Sequence, residues 1–316
     1  MRGITVFSGS AHPELAEEIC KYLGRPLSPV EIRRFSNDCI QVQLLTSCRE
    51  ADVFFIQPLS PPVHEHLMEL LQMLDAARGS AAARITAVIP HYAYARSDKK
   101  DAPRISIAGR LVADLIKTAG ADRVITMTLH APQVHGFFSI PVDHLNALNV
   151  LARYFKERGG LENTVVVSPD LGNAKSAAQF ARLLKLPVAA GSKQRLADDR
   201  VRIETIVGDV EGKDVIVLDD EIANGGTIIE ILDRLRERGA RRLSVACTHG
   251  LFTGPAIERL RAQTDLEEIV VTNTVPIPPH KRLPNMVVLS IAPLLAEAIR
   301  RTHNGESISS MFTEEI

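Results

Sequence analysis

Short apolar runs that alternate with helical patterns constrain the fold of this chain more than any other feature. The predicted strands are Ile4–Phe7, Val53–Gln57, Ile85–Ile89, Val124–Met127, Thr164–Val167, Val215–Leu218, Leu243–Thr248, Ile269–Thr272 and Met286–Ser290. Segments with helical periodicity separate most of them. This alternation is typical of βαβ units and predicts an α/β protein with mainly parallel sheets flanked by helices.

The length of the chain predicts two domains. A chain of 316 residues exceeds a typical single domain, so two domains of roughly 150 residues each are expected. Both halves contain a strand, a polar loop, a helix and another strand, although no residue-level repeat is evident. We place the junction near Asn146, after the segment Pro141-Val-Asp143.

Charge and cysteine usage exclude several classes of function. With 37 basic and 38 acidic residues, a net charge of -1 provides no global field for nucleic acid or an anionic membrane. The 4 cysteines form no C-x-x-C pair, which argues against a zinc knuckle and a disulfide framework and fits a reducing cytoplasm. The amino terminus lacks the apolar region of a signal peptide, and no apolar run reaches the ~20 residues that span a bilayer.

The segment 215–227 carries the clearest chemical signal. The apolar run Val215–Leu218 is followed by Asp219 and Asp220, which we expect at the carboxyl end of a buried strand, where α/β sheets bind ligands. Adjacent carboxylates suit the vicinal diol of a ribose. The sequence Asn224-Gly-Gly-Thr227 then opens a predicted helix, where glycine amides can approach a phosphate. Thr227 can cap the helix or donate to the same phosphate. A solvated Asp pair in an ordinary strand-to-helix turn is the alternative, and the combination favours the sugar-phosphate site.

Several segments in the same order resemble the ribose-phosphate pyrophosphokinases, also called phosphoribosyl pyrophosphate synthetases. The resemblance extends over essentially the whole chain. The matching segments are Phe7-Ser-Gly-Ser, Phe35-Ser-Asn, Pro90-His-Tyr-Ala-Tyr-Ala-Arg-Ser-Asp-Lys-Lys-Asp101, Ala119-Gly-Ala-Asp-Arg-Val-Ile-Thr-Met-Thr-Leu-His130, Gly136-Phe-Phe-Ser-Ile-Pro-Val-Asp143, Ser168-Pro-Asp-Leu-Gly172, Lys193-Gln-Arg195, Asp219-Asp220 with its loop, and His303-Asn-Gly-Glu-Ser-Ile-Ser-Ser.

The resemblance implies an enzyme of nucleotide biosynthesis. It would transfer the pyrophosphoryl group of Mg-ATP to the C1 hydroxyl of ribose 5-phosphate, giving phosphoribosyl pyrophosphate and AMP. The fold would be two type I phosphoribosyltransferase-like domains. Residues 1–146, with a carboxyl-terminal helix at about 291–303 that returns to them, would form the first domain, and 147–290 would bind ribose 5-phosphate. A cytoplasmic homo-hexamer is expected.

The resemblance also assigns roles to individual residues. Lys193 and Arg195 would be catalytic. His130 and Asp170 would hold Mg²⁺, although a lone His after a strand more often has a core or capping role. The ATP-binding residues would be Phe35, Asn37, Cys39, Arg96 and Ser97, of which Phe35 is equally interpretable as a core aromatic. Ribose 5-phosphate would contact Asp219, Asp220, Ala223, Asn224, Gly225, Gly226 and Thr227. Phosphate and ADP effectors would bind at Ser47, Arg49, Arg104, Ser307 and Ser309, which otherwise fit a solvated surface.

Departures from the family pattern indicate a divergent member. Ala223 stands where an Asp is usual, and Asn224 where a Thr is usual. Glu221 adds a third consecutive carboxylate. Cys39 replaces a Glu that usually helps to read adenine, and Ser97 replaces a usual Gln. These changes leave open a non-catalytic regulatory paralogue and, less favoured, a type I phosphoribosyltransferase. We further expect disorder in the charged stretch Lys193–Arg202.

Overall fold

The computed structural model describes residues 3–197, 200–309 and 311, and gives only the backbone for the described residues within 193–204. The chain divides into two compact units. Unit 1 comprises Met1–Asn146, Thr274–Pro276 and Ile291–Glu314, and unit 2 comprises chiefly Ala147–Asn273 and Ile277–Ser290. Within the described residues, no helix is both long enough and apolar enough to cross a membrane.

Unit 1 is built on a five-stranded parallel sheet with the order β1-β4-β5-β6-β7. Its strands are β1 (Ile4–Ser8), β4 (Asp52–Ile56), β5 (Arg84–Ile89), β6 (Arg123–Met127) and β7 (Val142–Leu145). A separate antiparallel hairpin is formed by β2 (Val30–Arg34) and β3 (Ile40–Leu44). The helices are α1 (Pro13–Leu23), α2 (Val63–Gly79), α3 (Ala108–Ala119) and α8 (Ala292–Asn304), with 3₁₀ helices at Ala93–Arg96 and Pro132–Phe137.

Both faces of the sheet in unit 1 are buried, because successive side chains along its strands point to opposite faces and both faces are covered. Phe7, Val53 and Phe55 pack with the apolar faces of α2 and α3. Their chain neighbours Val6 and Phe54 are also buried, as expected of a parallel sheet covered on both sides.

The helix α8 lies against α1 and is anchored to the sheet by polar contacts within unit 1. The buried carboxylate of Asp52 accepts from Nδ1 of His303 at 2.7 Å and from Nε of Arg84 at 2.9 Å. The carboxyl-terminal helix therefore shares the core of unit 1 rather than that of unit 2.

Unit 2 contains a seven-stranded sheet with the order β10-β9-β8-β11-β12-β13-β14, in which only the β9–β10 pair is antiparallel. Its strands are β8 (Thr164–Ser168), β9 (Val188–Ala197), β10 (Arg200–Val207), β11 (Asp214–Ile222), β12 (Leu243–Gly250), β13 (Leu266–Thr272) and β14 (Met286–Leu289). The helices are α4 (Leu148–Arg158), α5 (Ala174–Leu184), α6 (Gly226–Glu237) and α7 (Ala256–Arg261), with a 3₁₀ helix at Pro279–Lys281.

The helices of unit 2 cover opposite faces of its sheet. Residues of α6 and α7 pack against Val215, Val217 and Val245. Residues of α4 and α5 pack against the alternate positions Ile216 and Leu218. The predicted α/β class with two similar, mainly parallel domains is confirmed by this architecture.

The structure corrects the sequence prediction in several local details. The run 193–202 was expected to be disordered, but its described backbone belongs to β9 and β10. Strand β11 does not end at Leu218, because it continues through both aspartates to Ile222. The hairpin strands β2 and β3 were not predicted, nor was β7. All three contain polar residues that interrupt the apolar run.

Candidate active site

The order of the strands in unit 2 places a topological switch point between β8 and β11. From β8 the chain passes through α5 to β9 on one side, and from β11 through α6 to β12 on the other. In open α/β sheets, ligands bind outside the carboxyl ends of strands at such a point. Asp170 follows β8, and Asp219 and Asp220 lie near the carboxyl end of β11. The fold thus brings these three predicted site residues to one edge of the sheet.

Asp219 and Asp220 form an electrostatically coupled pair. The backbone N–H of Asp220 donates to Oδ1 of Asp219 at 2.9 Å. Desolvation raises the pKa of Asp219 well above its usual value, and the charges of Asp220 and then Asp170 raise it further. Both side chains remain partly accessible, so a cation or sugar hydroxyls can reach these carboxyl groups.

The loop after β11 forms a turn that leads directly into α6. Gly225, with a φ of 79°, is the N-cap residue, and the helix begins at Gly226. Oδ1 of Asn224 accepts the N–H of Gly226 at 2.9 Å. Thr227 does not cap the helix, because it lies inside the first turn. Its other predicted role, as a donor to the phosphate, stays a prediction. Ala223 is half-buried, and its carbonyl accepts the N–H of Thr253 at 2.9 Å. The helix end supplies the partial positive charge that suits a phosphate.

The loop that carries Asp170 is held by residues for which the sequence suggested no role. Oγ of Ser168 donates to the carbonyl of Asp170 at 2.6 Å, and the backbone N–H of Asn173 donates to Oδ1 of Asp170 at 3.0 Å. Gly191 on β9 allows a close approach, since a Cβ there would lie 2.7 Å from the carbonyl oxygen of Pro169. Such short-range packing leaves no recognisable mark in the sequence.

In unit 1, the three predicted adenine-site residues lie on the tip of the β2–β3 hairpin. Phe35, Asn37 and Cys39 are exposed, with Phe35 at 50%. Phe35 is therefore not a core residue of the chain. The tip is ordered by the bond from the N–H of Phe35 to the carbonyl of Cys39 at 2.8 Å, and Oδ1 of Asn37 accepts the N–H of Cys39 at 3.2 Å.

The first turn of α2 contacts both the hairpin and the segment that contains Arg96. Arg34, at the base of the hairpin tip, forms an ion pair with Glu65. The hydroxyl of Tyr94 lies 2.9 Å from Nδ1 of His64. Arg96 is exposed at the end of the 3₁₀ helix that contains Tyr94. No motif in the sequence marks His64 or Glu65, which connect two segments predicted to bind ATP.

Ser97 takes part in the local structure that precedes α3. Its Oγ accepts the N–H of Ala108 at 2.9 Å and donates to the carbonyl of Ser106 at 3.2 Å. These bonds close the loop 97–108. The predicted contact of Ser97 with ATP therefore competes with two internal hydrogen bonds.

His130 follows β6 in a constrained turn of unit 1. Its side chain is exposed. Thr128 has a φ of 41°, which is unusual for a β-branched residue. Nε2 of His144 accepts the N–H of Leu129 at 3.0 Å. Burial, together with the neighbouring His135, lowers the pKa of His144 to about 4, so this acceptor is neutral near neutral pH.

The remaining predicted residues are not gathered into one site. Strand β9 passes through Lys193 and Arg195, but their side chains lie outside the described residues. Ser47, Arg49, Arg104, Ser307 and Ser309 are all exposed. Only Ser309 among them lines the cavity of 320 Å³ that Arg123, Asp143 and His144 border in unit 1. Over the described part of the chain, no three His, Cys, Asp or Glu side chains form a group that could hold a metal ion.

The fold defines a class of protein: an α/β protein of two domains like those of type I phosphoribosyltransferases, with the pair Asp219–Asp220 and the turn before α6 at the switch point of unit 2. Residues 4–120 match the N-terminal domain of ribose phosphate pyrophosphokinase. Residues 194–313 match the phosphoribosyl synthetase-associated domain.

Full-length relatives identify the family. A Streptomyces coelicolor protein is 65% identical over 99% of this chain and 98% of its own length. The ribose-phosphate pyrophosphokinase of Deinococcus radiodurans is 50% identical over 98% of both chains. The crystal structure of phosphoribosylpyrophosphate synthetase from Mycobacterium smegmatis matches with a TM-score of 0.91 and 44% identity, covering 96% of this chain and 100% of that chain. The chain belongs to the ribose-phosphate pyrophosphokinase family.

These matches confirm the predicted family, enzyme class and function. The relatives named as pyrophosphokinases cover both units of the chain. A lone phosphoribosyltransferase would leave the match over residues 4–120 unexplained. Neither the phosphoribosyltransferase nor the non-catalytic paralogue is favoured over the pyrophosphokinase.

Proposed function

We propose that this protein transfers the pyrophosphoryl group of ATP to the C1 hydroxyl of ribose 5-phosphate at a site built around Asp219 and Asp220. The observation that supports it most is the clustering of Asp170, Asp219 and Asp220 at the β8–β11 switch point, where desolvation and the charge of Asp220 raise the pKa of Asp219. The hydroxyls of a pentose donate hydrogen bonds that relieve this charge. The turn Ala223–Gly226 and the following Thr227 at the start of α6 would hold the 5-phosphate.

The proposed nucleotide site uses residues of unit 1. The exposed ring of Phe35 offers a stacking face for adenine, and Asn37 with Cys39 contacts its edge. Arg96 binds the phosphates beside Ser97. We assign residues 1–146 with the helix near 291–303 to this nucleotide-binding domain, and 147–290 to the ribose 5-phosphate-binding domain.

The imidazole of His130 and the carboxylate of Asp170 are suitable ligands for Mg²⁺. His130 and Asp170 would each contribute one ligand to Mg²⁺, which commonly retains several waters and binds few protein groups. When bound, the cation neutralises charge on the transferred phosphates. Lys193 and Arg195 are proposed to stabilise the charge that develops on the transferred group and to exclude water from it. The transfer requires in-line positioning and no covalent intermediate with the protein.

The proposal extends to the assembly of the protein and to its regulation by phosphate and ADP. The exposed Phe35 hairpin suits a contribution across the subunit boundary of a cytoplasmic homo-hexamer, which light scattering coupled to size exclusion would test. Phosphate and ADP are proposed to act at Ser47, Arg49, Arg104, Ser307 and Ser309. Unchanged phosphate activation and ADP inhibition in Arg49→Ala would remove this regulatory assignment.

A direct assay tests the reaction. Purified protein incubated with MgCl₂, ATP and ribose 5-phosphate should form AMP and phosphoribosyl pyrophosphate in equal amounts. Asp220→Asn should lower kcat/KM by about 10²-fold or more, because it removes a charge from the sugar site. The matched control is Asp233→Asn on the exposed face of α6, where the carboxylate pairs with Arg236 at 2.6 Å. Absence of AMP with the wild-type protein, while an active paralogue is stimulated by it, would instead support the regulatory function.

Lys193→Ala separates catalysis from folding. We expect a fall in kcat of about 10²-fold or more with an unchanged Tm, because the proposed role of this lysine is to stabilise charge on the substrate. Turnover at the wild-type rate would remove Lys193 from the mechanism.

A further inference from the structure

Asn173 occupies the N-cap position of α5 without using its side chain as a cap. An Asn at this position normally accepts a hydrogen bond from an N–H in the first turn of the helix. Here no side-chain cap bond is made. Instead, Nδ2 of Asn173 donates to the carbonyl oxygen of Leu218 on β11 at 2.9 Å. The side chain is therefore diverted from its own helix to the neighbouring strand.

The carbonyl that accepts this bond lies where the sheet loses a strand. Strand β8 pairs with β11 only as far as Val167 opposite Val217. Beyond this pair, the β8 side of β11 has no strand partner from β8, and Asn173 supplies a donor to the next carbonyl. Leu218 directly precedes Asp219, so the bond fixes the backbone that carries the carboxylate pair.

The backbone of the same residue holds the third carboxylate. The N–H of Asn173 donates to Oδ1 of Asp170 at 3.0 Å. One residue thus connects the β8 loop to β11 through its main chain on one side and its side chain on the other.

Electrostatic repulsion acts against this connection. The carboxylates of Asp170 and Asp219 repel each other, and the charge of Asp170 contributes to the raised pKa of Asp219. The bonds of Asn173 to Asp170 and Leu218 hold the loop 169–173 to β11 against this repulsion. Asn173 is suited to this because it is uncharged and offers two donors to two acceptors.

We propose that Asn173 is a positioning residue that sets the separation between Asp170 and the pair Asp219–Asp220. The inference rests on the proposed function, because it deepens the geometry of the same site. Ribose 5-phosphate and a divalent cation are then met by three carboxylates in a single arrangement. Misplacement of a site group by about 1 Å can cost a factor on the order of 10² in rate.

The test compares Asn173→Ala with a matched control, Asn285→Ala. Nδ2 of Asn285 donates to the carbonyl of Leu266 at the start of β13 at 2.8 Å, so both variants remove one amide-to-carbonyl bond from the same unit. We expect similar losses of Tm. Asn173→Ala should lower kcat by about tenfold or more, with KM for ribose 5-phosphate changed by less than about threefold, whereas Asn285→Ala should retain wild-type kcat.

A conservative variant and a crystal structure complete the test. Asn173→Asp keeps the main-chain bond to Asp170 but places an acceptor opposite the carbonyl of Leu218, so it should be at least as slow as Asn173→Ala. In crystals of Asn173→Ala, Asp170 should lie farther from Asp219 than in the wild type, a result that does not depend on turnover.

The outcomes distinguish this inference from the proposed function. A wild-type enzyme that forms AMP and is disabled by Asp220→Asn, with Asn173→Ala as active as Asn285→Ala, would overturn the positioning role alone. A wild-type protein that forms no AMP would overturn the proposed function. In that case an unmoved Asp170 in the Asn173→Ala crystal would overturn the positioning role as well, and a displaced one would support it.

Discussion

The carboxylate of Asp219 accepts a 2.9 Å hydrogen bond from the backbone N–H of Asp220, the residue that follows it on β11. This single donor does not offset the cost of desolvation and of the neighbouring carboxylates, and the pKa of Asp219 is raised well above its usual value. Ionisation of Asp219 is therefore unfavourable in the folded protein. Groups at functional sites often carry such a cost in stability.

Asp219→Asn should make the protein more stable and less active. The pKa of Asp219 is higher in the folded state than the usual 3.8, so folding favours its protonated form. Stability is therefore lost as the pH rises from 3.8 through the folded pKa. Asn keeps the acceptor without the charge. At pH 7.5 the Tm should rise by about 2–4 °C for about 1 kcal/mol, and kcat/KM should fall. A lower Tm than the wild type at this pH would contradict the destabilising charge.

Gly191→Ala should disturb the Asp170 loop without touching any ligand. The new Cβ would lie 2.7 Å from the carbonyl oxygen of Pro169 and 3.2 Å from Cδ1 of Ile231. A backbone carbonyl cannot rotate away as a side chain can, so the loop must shift at a cost of about 1–3 kcal/mol. We expect a lower Tm and a lower kcat.

Gly79→Ala is the control for Gly191→Ala. A Cβ at Gly79, at the end of α2, would meet no atom within 4 Å, so neutral or slightly raised stability is expected. Equal kcat in Gly191→Ala and Gly79→Ala would show that the Pro169 contact does not control Asp170.

The fold class was predictable because each buried strand of a parallel sheet is a continuous apolar run. The runs at Val53 and Val215 have no competing interpretation, and all their side chains are buried on one face or the other. The hairpin strand Ile40–Leu44 was not predictable in this way, since only alternate residues are shielded and the strand reads as a polar segment. Its position depends on long-range contacts with Gln72 of α2. Oε1 of Gln72 accepts the N–H of Val42 at 3.1 Å, and Nε2 of Gln72 donates to the carbonyl of Ile40 at 3.1 Å.

The site was predictable where the chemistry is local and not where it depends on folding. Asp219 and Asp220 are recognisable in the sequence as adjacent carboxylates after an apolar run. Nothing in the sequence distinguishes Asn173, because its bond to Leu218 depends on the placement of β11 beside β8. The extent of β11 to Ile222 was also hidden, because pairing with β12 carries the strand through polar residues such as Glu221, opposite His249.

Cys39→Glu tests nucleotide selectivity at the hairpin tip. The family resemblance places a Glu here that contacts adenine, and the exposed position of Cys39 leaves room for the longer side chain. The ratio of kcat/KM for ATP to that for GTP should rise about fivefold or more, because a carboxylate accepts from the adenine amino group and repels the guanine oxygen. Cys39→Ser, which preserves size, should leave the ratio close to the wild-type value. An unchanged ratio in Cys39→Glu would place adenine recognition elsewhere.

His144→Asn should flatten the loss of stability in acid. The pKa of His144 is about 4 in the folded protein against an ordinary value of 6.5, so the unfolded chain binds the extra proton first. Stability is therefore lost as the pH falls from 6.5 toward 4, by an amount on the order of 2 kcal/mol when part exposure is allowed for. An Asn can still accept the N–H of Leu129 and does not titrate. Urea unfolding at pH 7.5 and pH 4.5 should show a smaller difference between the two pH values for the variant than for the wild type, and equal differences would exclude His144 as the titrating group.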